Sequence, residues 1–135
     1  MSRKNARAWS MKFLYQMAMN NQYDLGQVEK FCDYHEIKNN EKEYLINITE
    51  IVVNNLDEID KTIEENSNDW KIGRINNLDI SILRLAIGEI LYLDAIPDKV
   101  SINEAVELAK EYSTEKSSKF INGVLGSVLS NKNNE

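Results

Sequence analysis

Apolar residues recur with helical period along almost the whole chain, and strand-like alternation is absent. Ala6, Trp9, Phe13 and Met17 form one apolar stripe and Met11, Leu14 and Ala18 another. They predict a first helix over about 3–20 whose main polar stripe is only Lys12, Gln16 and Asn20. So narrow a polar face belongs to a helix packed on two sides. A second helix is expected after Asp24, with Leu25, Val28, Phe31, Cys32 and His35 inward, ending in a polar turn at 38–40. Asn40 and Glu43 have capping-box spacing ahead of Tyr44, Leu45, Ile48, Ile51 and Val52, which predicts a third helix starting there. A short acidic helix through Ile59 and Ile63 follows, and then a connector, Trp70 to Arg74, expected to be anchored by its indole.

Ile80, Leu83, Ala86, Ile87, Ile90 and Leu93 cover a wide face of a fifth helix over about 77–94, which should be central. Ser81, Arg84 and Gly88, with the more peripheral Tyr92, make its opposite side small or polar and open to a close neighbour. Pro97 cannot continue that helix, and Ser101 with Glu104 has capping-box spacing, so a sixth helix is expected from Ile102 to about Tyr112. A seventh begins near Thr114, buries Ile121, Val124, Leu125, Val128 and Leu129, and leaves a frayed tail at 132–135. The expectation is one all-α domain of about seven helices, with subdomains over about 1–69 and 70–131.

Composition narrows the function classes. At 135 residues the chain is long enough for one self-sufficient core. Cys32 is the only cysteine and His35 the only histidine, too few for a disulfide or a four-ligand zinc site. No apolar run approaches the ~20 residues of a membrane span, so a cytoplasmic protein is expected. Cys32 and His35 share a predicted apolar face, where a buried thiol and a core histidine outweigh a catalytic pair. The acidic pairs Asp57–Glu58 and Glu64–Glu65 lie in a solvated segment, and the glycines match no phosphate-binding fingerprint. The reading is a protein without catalytic apparatus, cofactor or metal.

Charge points to a partner. The net charge is −6, yet residues 1–22 carry Arg3, Lys4, Arg7 and Lys12 with no acid. Residues 23–69 hold four bases against thirteen acids. A basic end on an acidic body favours a localised anionic partner. Arg3, Lys4 and Arg7 suit either phosphate contacts or an ordinary solvated terminus. In the seventh helix Gly123 costs ~1 kcal/mol against alanine, for which close approach of another backbone is the expected reason. Phe120 shares an edge with Lys116, Gly123 and Ser127. A ring beside cations fits single-stranded RNA, whose unstacked bases pile on aromatics, and the same spacing also suits a core phenylalanine. Asn76 and Asp79 have N-cap spacing, so Asp79 supports its own helix while leaving a carboxylate for a basic partner.

Four blocks then carry a family resemblance: R-K-N-A-R with L-Y-Q in the first helix, L-D-I-S-I-L-R-L-A-I-G-E, I-P-D-K-V-S-I-N-E-A-V-E-L-A-K, and K-F-I-N-G-V-L. Together they resemble the NusB family of bacterial transcription antitermination factors over nearly the full length. The resemblance implies two perpendicular three-helix bundles and a non-enzymatic factor. Such a factor pairs with the ribosomal protein NusE, binds boxA RNA of nascent transcripts, and joins an antitermination complex on RNA polymerase, notably on ribosomal RNA operons. By matching position it implies an RNA surface of Arg3, Lys4, Arg7, Lys119 and Phe120. It implies a NusE surface of Tyr15, Asp79, Arg84 and Lys116. Asn5 departs from an arm often richer in arginine, and Lys116 stands where some relatives have an acid. The competing reading is a self-associating helical scaffold, with a homodimer as its product and no RNA bound.

Overall fold

The computed structural model of the protein describes residues 2–68 and 70–134. Among them are seven α-helices and no strand: α1 Ser2–Asn20, α2 Val28–Tyr34, α3 Asn39–Asn54, α4 Leu56–Glu65, α5 Asn77–Tyr92, α6 Asp98–Tyr112 and α7 Glu115–Asn133. Short 3-10 turns at Leu25–Gln27 and Ile72–Arg74 precede α2 and α5. No helix of the described residues is long and apolar enough to cross a membrane.

Two helix starts follow the expected capping chemistry. Asn76 Oδ1 accepts from the Asp79 amide at 2.8 Å, and Thr114 Oγ1 from the Ser117 amide at 3.0 Å. Two do not. α3 begins at Asn39 behind an extended Lys38, which puts Asn40 inside the first turn, where its side chain accepts only from the adjacent Glu41 amide. α6 begins at Asp98, with Pro97 (φ −60°, ψ 137°) as its N-cap. Ser101 is therefore a full turn inside the helix, and its hydroxyl donates at 2.7 Å to Glu89 instead of capping anything. Pro97, with its fixed φ, already supplies the start of the helix, which leaves the Ser101 hydroxyl free to donate a charge-assisted hydrogen bond to the buried carboxylate.

α5 is the axis of the molecule, about 24 Å long and buried from Asp79 through Ile90. α1 lies antiparallel along it, with Arg7 against Glu89 at one end and Met19 against Asn77 at the other. α7 runs parallel to it, from Ser117 beside Asp79 to Lys132 beside Ile90, and α6 runs back between them. α3 crosses at Gly88, where an added Cβ would stand 3.1 Å from Val52 and 3.3 Å from Ile48. The small side of α5 is thus covered by α3 within the same chain. α1 packs on both α3 and α5, as its two apolar stripes require.

Other expectations change. His35 is exposed just past α2, its ring against Trp9, Phe31 and Tyr34. The connector after α4 is held by polar contacts: Glu64 accepts from the Ile72 amide at 2.8 Å, and Ser67 and Trp70 exchange hydrogen bonds. Its indole points outward, 50% exposed. Lys132 is no frayed tail, since its ammonium donates to the Ile90 carbonyl at 2.9 Å and lies 3.1 Å from Asp98, inside α7. Glu135 lies outside the described residues. Among the described residues no heavy atom beyond its own helix turn lies within 4 Å of a Cβ built on Gly123, so the expected close approach of another backbone is not seen there.

Candidate functional site

The predicted site residues divide between the two ends of α5, and the two ends differ in kind. At the C-terminal end Glu89, 1% exposed, gathers three helices. Its carboxylate accepts from Arg7 Nε at 2.8 Å and Arg7 Nη2 at 3.2 Å, from Ser101 Oγ, and from the Tyr44 hydroxyl. Glu104 adds a second acid 3.9 Å from the guanidinium. Burial by itself lowers the Arg7 pKa, but the hydrogen bonds and charge of Glu89 outweigh it and hold it above the ordinary guanidinium value. Burial and then the Glu89 charge push the Tyr44 phenol upward, so it stays a protonated donor. Arg7, expected on an RNA surface, is 6% exposed and spent on this pair. It is a structural residue.

Arg3 and Lys4 are the exposed cations of this end that belong to α1. The Arg3 guanidinium lies 4.6 Å from the centre of the Tyr44 ring, so the phenol that feeds Glu89 also seats the outermost arginine. Midway along α1, the Lys12 ammonium lies over Trp9 (4.7 Å) and Tyr112 (5.1 Å). Spacing alone had placed Lys12 on a plain polar stripe.

The N-terminal end of α5 is built around Asp79, ten residues and so about 15 Å from Glu89. No cation pairs with Asp79 among the described residues. Its oxygens accept instead from Ser117 at 3.0 Å, Asn76 at 3.2 Å and Ser113 at 3.4 Å. It is 5% exposed and lies at the floor of an open cleft of about 390 Å³ walled by Trp70, Arg74, Lys116 and Phe120. Phe120 is half-buried, its ring 6.1 Å from that of Trp70, and Lys116 and Lys119 are exposed. Lys119 reaches Glu115 only at 3.9 Å, with both side chains about four-fifths in solvent, a contact too weak to occupy it.

Arg84, expected to face a protein partner, is 4% exposed. It holds Asp60 through two bonds of 2.9 Å and donates to the Tyr23 hydroxyl at 2.8 Å. Burial lowers its pKa, the Asp60 pair more than restores it, and the arginine serves to tie α5 to α4. Tyr15 is half-buried on α1. The structure therefore leaves Arg3 and Lys4 available at one end and Lys116, Lys119 and Phe120 at the other, and it withdraws Arg7 and Arg84 from any surface. Trp70 is the site feature the sequence misplaced: loops have no periodicity to report which way a ring points.

Comparison with known proteins agrees with this framework. The NusB family model matches residues 4–130. The transcription antitermination protein NusB of Finegoldia magna is 50% identical over 134 residues, covering 99% of this chain and 98% of that protein. Its counterpart in Alkaliphilus oremlandii is 46% identical, covering 93% and 91%. Among solved structures, T. maritima NusB superposes with a TM-score of 0.86 at 32% identity, over 95% of this chain and 90% of that one. A crystal structure of antitermination factors NusB and NusE in complex with dsRNA gives 0.87 at 28% identity, covering 96% and 97%. With half its residues shared end to end with such a relative, and its helices superposing on solved members, the chain belongs to the NusB family.

Proposed function

We propose that this chain is a non-enzymatic transcription antitermination adaptor that binds single-stranded boxA RNA together with NusE, and that the pair acts in the cytoplasm on transcribing RNA polymerase. The observation that carries the reading is the likeness, over 96% of the chain, to a NusB whose crystal structure contains NusE and RNA. The surface is compatible with it. Exposed Arg3 and Lys4 supply phosphate partners, and Lys119 with the half-buried Phe120 supplies a cation beside a stacking face. Because these groups stand at opposite ends of α5, the reading requires a strand that crosses the molecule. Tyr15, Lys116 and the carboxylate of Asp79 remain the NusE candidates, with Asp79 reached only through the cleft. The Gly88 face, one that could have served a second copy, is occupied by α3 of the same chain, which favours the adaptor over the self-associating scaffold.

The test is titration of boxA RNA with the protein alone and with NusE, using single-stranded and duplex probes. Tighter binding of the single strand when NusE is present supports the adaptor. No RNA binding in either arm removes it.

A further inference from the structure

Trp70 is the most exposed indole of the chain, yet the segment that carries it is tied down. Its amide donates to the Ser67 carbonyl at 3.1 Å, its carbonyl accepts from Ser67 Oγ at 3.1 Å, and two residues on the Ile72 amide is held by Glu64. A pinned backbone with a ring left in solvent forgoes the burial that a tryptophan ordinarily supplies. Two open clefts, each about 390 Å³, are lined by the indole. One is lined by Asn68, Lys71 and Arg74, and the other runs from Arg74 to Lys116 and Phe120. Elsewhere in the molecule cations cap aromatic rings, as Lys12 does Trp9, Arg3 does Tyr44 and Arg84 does Tyr23. Among the described residues none caps Trp70.

The chemistry that fits a free indole face between cationic rims is a nucleobase with its phosphates. We infer that Trp70 is a base-stacking residue for single-stranded RNA, extending the Phe120 edge toward Lys71 and Arg74. The inference rests on the RNA-binding reading above and adds the position and the residues. Trp70 and Phe120 are tilted by 58° with centroids 6.1 Å apart, so they form an angled pair and not a slot. Successive bases stack on their outer faces, while Lys71 and Arg74 hold the backbone. Among the described residues that line the cleft the one carboxylate is Asp79, which is buried and engaged by its serine and asparagine donors, and this keeps it from the phosphate path. Charge complementarity therefore favours RNA over an apolar protein segment.

The chain has two tryptophans, so Trp9→Phe leaves Trp70 as the sole indole reporter. Adding boxA RNA to that variant, alone and with NusE, is expected to quench its emission. Trp70→Ala should weaken RNA binding by roughly 5- to 100-fold, the range for one stacked base, while Trp70→Phe retains most of the affinity and NusE binding without RNA falls by far less than RNA binding does. If the wild type binds RNA and Trp70→Ala binds it equally, or Trp70 emission stays constant at saturation, the inference fails while the RNA-binding reading stands. A Trp70→Ala variant that loses NusE but not RNA assigns the cleft to the protein partner and overturns the inference. Absence of RNA binding by the wild type overturns both. The quenching readout keeps the result independent of any loss of stability in the alanine variant.

Discussion

α5 carries a carboxylate near each end, and the two have opposite fates. Glu89 is closed in by a guanidinium, a phenol and a serine from three other helices, all buried. Asp79 has neutral donors only and borders an open cleft. Glu89, enclosed by three other helices with no cleft beside it, is matched by a full countercharge, and supplying it consumes the arginine. Where hydroxyls suffice, the surrounding cations stay free for other work. The difference separates a structural knot from a candidate site on one helix.

The largest effect lies at the knot. Glu89→Ala leaves Arg7 buried with only the partly exposed Glu104, 3.9 Å away, as countercharge and should lower folding stability by about 3–5 kcal/mol in urea denaturation. A loss below ~1 kcal/mol would show that Arg7 escapes to solvent and that the two ends are alike. Phe120→Ala should do the reverse, lowering RNA affinity by the ~1–3 kcal/mol of a stacked base with helicity unchanged. Unaltered RNA affinity would return Phe120 to the core.

What was legible in the sequence follows the same division. Periodicity located all seven helices, because each buries a stripe that local spacing reveals. Local capping at Asn76 was readable for the same reason, as was the start of α7 near Thr114. Arg7 was misread because its partner is 82 residues away, and charged residues near a terminus look solvated until such a partner is known. Ser101 and Glu104 have a capping box's spacing, but i, i+3 spacing also occurs on any helix, and only the distant Glu89 decides between them. Arg84 repeats the lesson through Asp60. Lys116 and Phe120 were legible as an edge because helical spacing alone places both beside the buried stripe of α7, while Lys119 was reached only through the family resemblance.

Two smaller effects sharpen the contrast. Asp79→Ala removes acceptors for Ser113 and Ser117 and a contact with the α5 N-cap, and should cost about 1–2 kcal/mol, well under Glu89→Ala. Tyr44→Phe deletes one donor to Glu89 while keeping the ring under Arg3, so a loss of about 1 kcal/mol with RNA affinity retained is expected. It also has a pH signature. The native phenol titrates above its unfolded value of about 10, so its contribution is complete below that pH and is lost as pH rises beyond it. Urea melts across alkaline pH should show a steeper decline for the wild type than for Tyr44→Phe.

The most direct test of the split between the ends is the salt dependence of boxA RNA binding in the presence of NusE. It is compared for the wild type, for Lys119→Ala, and for Arg7→Met/Glu89→Met, which removes both charges of the buried pair. With Arg3, Lys4 and Lys119 on phosphates, joined by Lys71 and Arg74 beside Trp70, the wild-type log-log slope should be about −3.5, and Lys119→Ala should be less steep by about 0.7. The double variant, provided its circular dichroism is native, should keep the wild-type slope. A double variant that loses slope while Lys119→Ala keeps it would contradict the account, placing the RNA contact on Arg7 and the idle charge at the open end.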